Sequence, residues 1–395
     1  MAISRKIENS LEKASWIRRM FEQGLALKQT HGAANVFDFS LGNPNLEPPE
    51  QFQVVLERVV RARAPGAHGY MSNAGYPDTR AAIAEFVGRE QGVPLTGDNV
   101  VLTCGAGGAL NVVFKTLLDP GEEVILLAPF FAEYPFYADN HGGVPHHVQT
   151  AADFSLDLEA VEAALSEKTK VVLINSPNNP TGKVYDKPAI DALGRLLDYK
   201  SREIGKAIYL VSDEPYRKIV YDGVTVPSIL AAYADSIVVT SYSKDLSLPG
   251  ERLGYIAVNP AADAIGPLMN GLVFANRTLG FVNAPATMQQ VVRHLQGVSV
   301  DPGLYQRKRD LLCDMLAELG YEFVKPQGAF YLFPKAPGGD DVSFVTELLD
   351  ERVLTVPGSG FGRPGFFRIS FCVDDSVLER SRDGFAKVAR KHFGS

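Results

Sequence analysis

The lysine at position 244 has neighbours that suit covalent chemistry. Lys244 lies in the segment TSYSKDLSLPGERLGY, residues 240–255, directly after a run of apolar residues, and Arg252 follows in the same segment. A lysine amine can form a Schiff base with a carbonyl once its pKa, about 10.4 in free solution, is lowered by burial or by neighbouring cations. A single lysine is more often a surface charge, so the hypothesis depends on the serines and the arginine beside it.

A carboxylate ends a second apolar run. Asp213 closes the stretch AIYLVSD, within the segment YLVSDEPYRKIVYDG at 209–223. A charged group at the end of a buried strand is unfavourable unless a cation pairs with it. Two partners fit this position. One is the protonated ring nitrogen of a cofactor, and the other is an arginine of the protein, which is the commoner partner of a buried acid.

A glycine-rich turn, TCGAGGAL at 103–110, follows the apolar run VVLT. Glycines between a strand and a helix let backbone N–H groups approach a phosphate at the helix N-terminus. The turn contains neither the GKS or GKT of a P-loop nor the GxGxxG of a dinucleotide site, which leaves a phosphate monoester as the candidate ligand. An ordinary glycine-rich turn explains the same residues.

A further polar segment, INSPNNPTGKVY at 174–185, follows the apolar run KVVLIN. Asn and Pro are common in turns, which explains its composition but not why so polar a run directly follows a buried strand. In open α/β sheets, ligands bind in the loops outside the carboxyl ends of the strands. Because all four segments follow predicted strands, we expect their polar side chains to meet at one edge of a sheet.

The strands that must position these residues are short, continuous apolar runs between helical stretches. They begin near residues 100, 123, 170, 207 and 236. This pattern predicts an α/β fold with a large domain, in which a mostly parallel sheet of the seven-stranded type lies between helices.

The two ends of the chain predict a smaller α+β domain. FDFSLGNPNLEPP indicates a short strand and a turn, and FYLFP, RVLTV and FFRISFC indicate strands before a final helix at about 376–392. Apolar spacing predicts a helix at about 11–28, and a helix pair or one long bent helix at 286–320. The expected division is an N-terminal segment of the small domain at 1–48, the large domain at 49–290 and the small C-terminal domain at 291–395.

The composition argues against several classes of protein. The chain of 395 residues has a net charge of −7 and no basic block, which argues against nucleic acid as a partner. No apolar run approaches the roughly 18 residues of a membrane helix, and the N-terminus lacks the apolar region of a secretory signal. Three widely spaced cysteines indicate neither a disulfide framework nor a metal site, so we expect a cytoplasmic protein.

Taken together, the motifs resemble those of the aspartate-aminotransferase-like family of pyridoxal-phosphate enzymes (fold type I, class I/II aminotransferases). The match runs from about Gly42 to the C-terminus, with NPTG, DEPY, SYSK, PGERLGY and FRISF in the order of the family. Each motif alone is modest evidence, and five in order are strong. The resemblance implies pyridoxal 5'-phosphate as cofactor and transfer of the α-amino group of an amino acid to a 2-oxo acid.

The resemblance also implies a role for each matching residue. Lys244 would form the internal aldimine and then move the proton, and Asp213 would pair with the ring nitrogen. Asn179 and Tyr216 would bond the phenolic oxygen of the ring, and Phe131 would stack on it. The residues that would hold the phosphate are Gly105, Ala106, Gly107, Ser241, Ser243 and Arg252.

For the substrate, the resemblance implies that Arg368, in FRISF, binds the α-carboxylate with help from Gly42 and Asn179. Tyr70 matches the tyrosine that reaches the phosphate of the neighbouring subunit, which implies a homodimer with shared sites. Arg277 lies near the place of an arginine that binds a side-chain carboxylate from the neighbouring subunit, and a surface arginine is the alternative.

Two features of the sequence bear on the substrate. Some members that act on acidic substrates have a lysine where this chain has Gly107. The aromatic residues Phe130, Phe131, Tyr134 and Phe136 suit either an aromatic or apolar substrate pocket or the core.

Other functions remain open at this level. A β-lyase, a decarboxylase or a cyclopropane-forming synthase of the same fold would use the same motifs. An effector-sensing transcription regulator is disfavoured. Such a protein would carry a helix-turn-helix domain ahead of this fold, whereas the match to the family already begins at about Gly42 and the net charge is negative.

Overall fold

The computed structural model describes residues 3–12 and 16–393, and no helix in these ranges is long and apolar enough to cross a bilayer. The helices are α1 (Arg5–Glu12), α2 (Trp16–His31), α3 (Glu50–Ala62), α4 (Pro77–Gln91), α5 (Gly105–Leu117), α6 (Tyr134–Asn140), α7 (Leu158–Ala164), α8 (Lys187–Ile204), α9 (Ile265–Thr278), α10 (Ala286–Val292), α11 (Pro302–Glu318), α12 (Asp341–Asp350) and α13 (Asp375–Phe393). The strands are β1 (Phe37–Asp38), β2 (Val100–Thr103), β3 (Glu123–Ala128), β4 (Val144–Gln149), β5 (Thr169–Asn175), β6 (Tyr209–Asp213), β7 (Ser236–Ser241), β8 (Gly254–Val258), β9 (Tyr331–Leu332), β10 (Val353–Leu354), β11 (Val356–Pro357) and β12 (Phe367–Ser370).

The largest sheet has seven strands in the order β2-β8-β7-β6-β5-β3-β4. The strands from β7 to β4 are parallel, and β8 is antiparallel to both β7 and β2. The predicted α/β fold with a mostly parallel sheet is confirmed. Because the direction reverses on both sides of β8, β2 runs in the same direction as β7. The carboxyl ends of β2, β5, β6 and β7 therefore lie at one edge of the sheet.

The apolar runs form strands that are buried on both faces. In β3, Ile125 and Leu127 pack into one hydrophobic core, while Val124 and Leu126 pack into a second core on the opposite face. Full burial of such a side chain stabilises the fold by roughly 1.5–3 kcal/mol. A strand between two cores needs apolar residues at successive positions, which explains why these runs do not alternate with polar residues.

Two strands and one pairing differ from the sequence prediction. β4, with the sequence VPHHVQ, was not predicted because it is an edge strand with mostly exposed side chains and lacks an apolar run. β8 was also not predicted, and it begins shortly after the PGER turn without an α-helical stretch before it. The parallel pairing expected for the VVLT strand was wrong, since β2 pairs antiparallel with β8.

The two ends of the chain meet beside a third hydrophobic core. β1 pairs in parallel with β10, and β11, β12 and β9 form a three-stranded antiparallel sheet. The segment 286–320 is a helix pair, α10 and α11, and the final helix is α13. The helix predicted at about 11–28 is divided between α1 and α2, and residues 13–15 lie outside the described residues.

Candidate active site

A cavity of about 370 Å³ opens at the carboxyl edge of the large sheet. The loops after β5, β6 and β7 and the first turn of α5 border it, together with β9 and β12 from the C-terminal part of the chain. The predicted site residues that line it are Gly42, Ala106, Gly107, Phe131, Asn179, Asp213, Tyr216, Ser241, Ser243, Lys244, Arg252 and Arg368. The expected meeting of the four polar segments is thus seen in the structure.

The start of α5 and the guanidinium of Arg252 form a corner that suits an anion. Gly105, the first residue of α5, has a φ of 72°, and a Cβ there would lie 3.0 Å from Arg252 Nη2. The backbone conformation therefore favours glycine, which also leaves room for the guanidinium of Arg252. Ser241 Oγ donates to Ser243 Oγ at 3.1 Å in the same cavity. The N–H groups of the first helical turn, two hydroxyls and a guanidinium together suit a phosphate group.

Lys244 lies three residues beyond the end of β7, is half-buried and lines the cavity. Nζ donates to the carbonyl oxygen of Gly42 at 2.7 Å. Burial, aided by the positive charges of Arg368 and Arg252, lowers the pKa of Lys244 to about 8, and Cys372 and Asp213 oppose this fall. An amine with this pKa is neutral in a larger fraction of molecules near pH 7 than an ordinary lysine and is a better nucleophile and base.

Asp213 is the last residue of β6 and is buried. Its Oδ2 accepts a hydrogen bond of 2.6 Å from the hydroxyl of Tyr134, whereas its Oδ1 has no hydrogen-bond partner among the described residues. Burial raises the pKa of Asp213 to about 7, and the hydrogen bond from Tyr134 and the charge of Lys244 oppose this rise. A buried carboxylate oxygen without a partner is unfavourable, so Oδ1 is suited to receive a cationic or N–H-bearing ligand.

Arg368, on β12, is a buried cation held by neutral groups. Its Nη1 donates to Asn179 Oδ1 at 3.1 Å and its Nη2 donates to the Ser40 carbonyl oxygen at 2.5 Å, while Nε has no partner among the described residues. The rings of Tyr331 and Phe361 pack near the guanidinium, with centroids 4.8 and 4.7 Å from Cζ. Burial lowers the pKa of Arg368, and within the described part of the chain no carboxylate compensates its charge. The side chain is therefore ready to bind a carboxylate from a ligand.

Gly42 approaches Tyr331 so closely that no side chain fits at this position. A Cβ on Gly42 would lie 1.8 Å from Tyr331 Oη. The hydroxyls of Tyr331 and Tyr216 are hydrogen-bonded at 2.9 Å. Burial and the neighbouring tyrosine raise the pKa of Tyr216 well above its usual value, so its hydroxyl keeps its proton near neutral pH and can donate it to an acceptor in the cavity.

Sequence reasoning missed some contributors to the cavity. Tyr331 was expected only as part of a strand, and Tyr134 was left between substrate pocket and core. Asn175, at the end of β5, accepts from the Asn179 backbone at 2.7 Å and donates to the Asp213 carbonyl oxygen at 2.7 Å. Its polar side chain at the end of an apolar run was the available signal. Of the other aromatic candidates, Phe130 packs in a core.

Tyr70 and Arg277 do not line the cavity of the single chain. Tyr70 is 95% exposed, and Arg277 is exposed with its guanidinium 5.3 Å from the centroid of the Phe274 ring. The two residues lie on adjoining surface segments, because Asn73 Nδ2 donates to the Val282 carbonyl oxygen at 2.9 Å. Their expected roles across a subunit interface stay predictions.

Comparison with known proteins identifies the family. The chain matches the sequence model described as aminotransferase class I and II over residues 34–384. It is 33% identical over 378 residues to the aspartate/prephenate aminotransferase of Thermus thermophilus, covering 92% of this chain and 93% of the relative. Among solved structures, an aminotransferase from Eubacterium rectale has a TM-score of 0.95 at 39% identity and covers 99% of both chains. An aspartate aminotransferase from Thermus thermophilus with maleate has a TM-score of 0.87 at 30% identity and covers 98% of this chain and 100% of that one.

These similarities place the fold in type I of the pyridoxal-phosphate enzymes. The chain belongs to the aminotransferase class I and II family, whose members use pyridoxal phosphate, and it is an aminotransferase. The family that the motifs indicated is confirmed, and so is the expected reaction, amino transfer.

Proposed function

We propose that the cavity at the sheet edge binds pyridoxal 5'-phosphate through Lys244 and transfers an α-amino group from an amino acid to a 2-oxo acid. The observation that carries the proposal is the arrangement of three groups in one cavity. These are an amine of lowered pKa at Lys244, a carboxylate oxygen without a protein partner at Asp213, and the anion corner beside Arg252. A molecule with a carbonyl, a basic ring nitrogen and a phosphate satisfies all three.

The residues present fit this cofactor. Asp213 Oδ1 would accept the bond from the protonated ring nitrogen, which explains why this buried oxygen lacks a partner in the protein. Asn179 and Tyr216 line the same cavity and would bond the phenolic oxygen, and Phe131 would cover the ring. The proposed phosphate ligands are Gly105, Ala106, Gly107, Ser241, Ser243 and Arg252.

When bound, the cofactor ring withdraws electrons from the substrate Cα and makes its proton removable. Lys244 Nζ then accepts this proton, because a lowered pKa leaves an appreciable fraction of the amine neutral near pH 7. Arg368 binds the substrate α-carboxylate and fixes the Cα–H bond with respect to Lys244. Two nitrogens of Arg368 would donate to this carboxylate. Nε has no partner among the described residues, and Nη1 can exchange its hydrogen bond to Asn179 for one to the substrate.

We further propose that the enzyme is a homodimer in which Tyr70 of the partner subunit completes the phosphate site. An aromatic side chain that is 95% exposed in a single chain supports this placement. Arg277, on the adjoining surface segment, is proposed to reach the substrate side of the neighbouring site. Both roles require the dimer, because each residue would act in the site of the neighbouring subunit.

The proposed domain division agrees in outline with the hydrophobic cores, although Val291, Val292 and Leu295 pack into a core of the large sheet and Tyr216 and Tyr221 pack into the third core. Two cores cover the faces of the large sheet, and the third joins β1 and residues such as Met20 and Phe39 to the C-terminal strands and helices. This supports a large domain over 49–290 and a small domain formed by 1–48 and 291–395. The three free cysteines support a reducing compartment such as the cytoplasm as the place of action.

A half-reaction tests the proposed function. Purified enzyme loaded with pyridoxal phosphate is mixed with single amino acids in the absence of any 2-oxo acid. We expect one equivalent of 2-oxo acid per active site, after which the reaction stops until a 2-oxo acid acceptor is added. Continued turnover without an acceptor, with release of ammonia, would contradict the proposal.

A further inference from the structure

A second acidic side chain enters the cavity from the wall formed by the start of α6. Glu133 lines the cavity two residues after Phe131 and is half-buried. Its carboxylate has no hydrogen bond or ion pair with any group of residues 3–12 and 16–393. Burial raises the pKa of Glu133, and no nearby cation opposes this rise. A partly desolvated carboxylate that lacks a protein partner gains stability when a ligand supplies one.

The cations of the cavity are directed to other groups. Lys244 Nζ donates to the Gly42 carbonyl oxygen at 2.7 Å, and Arg252 Nη1 donates to the Pro249 carbonyl oxygen at 3.0 Å. Arg368 is held by Asn179 and by the Ser40 carbonyl oxygen. The cofactor and the α-carboxylate of the substrate would use these three side chains. Glu133 therefore has no compensating charge within the described chain.

Tyr137 and Gly107 line the cavity together with Glu133. Burial raises the pKa of Tyr137 to about 12, and the charge of Glu133 adds to this rise while Arg252 opposes it. A Cβ on Gly107 would lie 3.0 Å from Tyr137 Oη. A longer side chain at position 107 would have to displace the tyrosine. The wall formed by Glu133, Tyr137 and Gly107 thus combines an aromatic ring with a carboxylate, while Arg252, the cation whose charge also reaches Tyr137, would be used by the phosphate of the cofactor.

We propose that Glu133 determines the substrate class and selects amino donors whose side chain carries a positive charge. This inference rests on the proposed function, because it takes the α-carboxylate to bind at Arg368. The substrate is then fixed at its carboxylate and its reacting carbon, and its side chain is free to contact the remaining wall. A terminal ammonium group there pairs with Glu133 and lies against the Tyr137 ring. A terminal carboxylate meets a like charge in a partly desolvated site.

Three amino donors of similar length but different charge test the inference. Cofactor-loaded wild-type enzyme and Glu133→Gln are compared with L-ornithine, L-norvaline and L-glutamate, and kcat/KM is measured for each half-reaction. We expect the wild type to prefer ornithine to norvaline and norvaline to glutamate. The substitution should lower kcat/KM for ornithine about tenfold or more. It should change kcat/KM for norvaline by less than about twofold and raise kcat/KM for glutamate.

Two further variants separate the alternatives. Asp139→Asn, on α6 but exposed and ion-paired with Lys6, removes one negative charge outside the cavity and should leave the three values unchanged. The alternative is that Glu133 forms an ion pair with Arg277 of the partner subunit. In that case Glu133→Gln and Arg277→Gln would each change kcat/KM by the same factor for all three donors, and this result would overturn the inference.

The wild-type preferences also decide the question. A preference for glutamate over norvaline would overturn the inference while leaving the aminotransferase site in place. Failure of the wild type to convert any amino donor would contradict the proposed function and the inference with it.

Discussion

The two sides of the cavity are built differently. On the sheet side, Asp213 ends β6 and Lys244 follows the neighbouring parallel strand β7, and their pKa values are shifted to about 7 and about 8. On the opposite side, Arg368 and Ser40 are hydrogen-bonded although they lie 328 residues apart in the chain. The sheet side holds groups whose protonation changes near pH 7, whereas the opposite side holds a permanent cation between neutral acceptors. We infer that the sheet side performs the chemistry and that the Arg368 side orients the substrate.

Substitution of Lys244 should have the largest effect. Because no other amine lines the cavity among the described residues, Lys244→Ala should abolish transamination with every amino donor while leaving the fold intact, as judged by circular dichroism. Lys206→Ala removes a lysine that pairs with Glu122 away from the cavity and should retain full activity. Substantial residual turnover in Lys244→Ala would contradict the assignment of the chemistry to the sheet side.

Neutralising Asp213 should have the next largest effect. Asp213→Asn keeps the size of the side chain but removes the charge that stabilises a protonated ring, and we expect kcat to fall by about 10²- to 10³-fold. Cofactor affinity, measured by equilibrium titration, should fall much less. Glu214→Gln is the matched control, because Glu214 is equally buried but is bonded to Arg217 and Ser212. A kcat for Asp213→Asn near that of the wild type would refute the proposed role.

Altering Arg368 should affect all amino donors alike. Arg368→Lys keeps the charge but loses the planar pair of donors, and a hydrogen bond to a charged group contributes roughly 1.5–3 kcal/mol. We therefore expect kcat/KM to fall by about 10- to 100-fold for every amino acid, with a raised KM. Arg309→Lys changes a buried arginine that pairs with Asp222 and should lower stability only. An effect limited to one donor would assign Arg368 to side-chain recognition instead.

The smallest effect is expected at Tyr134, which supports the sheet side from behind. Its hydrogen bond stabilises the charged form of Asp213, so Tyr134→Phe raises the pKa of Asp213 further. Cofactor affinity should fall by up to about tenfold, since such a bond contributes roughly 0.5–1.5 kcal/mol. The loss should be larger at pH 6 than at pH 8, because more of the Asp213 carboxyl is protonated at pH 6. Tyr185→Phe, in a hydrophobic core, should leave the affinity unchanged. Equal losses at both pH values would contradict the proposed coupling.

The sheet side could be predicted from sequence because its signals are local. The apolar run VVLT coincides with β2, and Asp213 ends β6 as expected. A strand that enters two cores requires consecutive apolar residues, and the first polar residue after it must lie at the sheet edge. Lys244 could be placed by the same reasoning, since it follows the SIVVTS strand within a few residues.

The opposite side could not be predicted in the same way, because its contacts join distant segments. The sequence gives no sign that Gly42 must be glycine to admit the Tyr331 hydroxyl, or that Tyr134 bonds Asp213. The motif resemblance identified Arg368, but its neutral partners depend on how β12 and the segment after β1 meet. Such contacts follow from tertiary packing and leave no periodic pattern in the chain.

The central claim is that the cofactor is attached to the amine at position 244. Borohydride reduction of the cofactor-loaded enzyme, followed by proteolysis and mass spectrometry, tests it directly. The account predicts a single peptide that carries the reduced cofactor on Lys244 and no labelled peptide in Lys244→Ala. A label on another lysine, or an unlabelled Lys244 in the active enzyme, would contradict it.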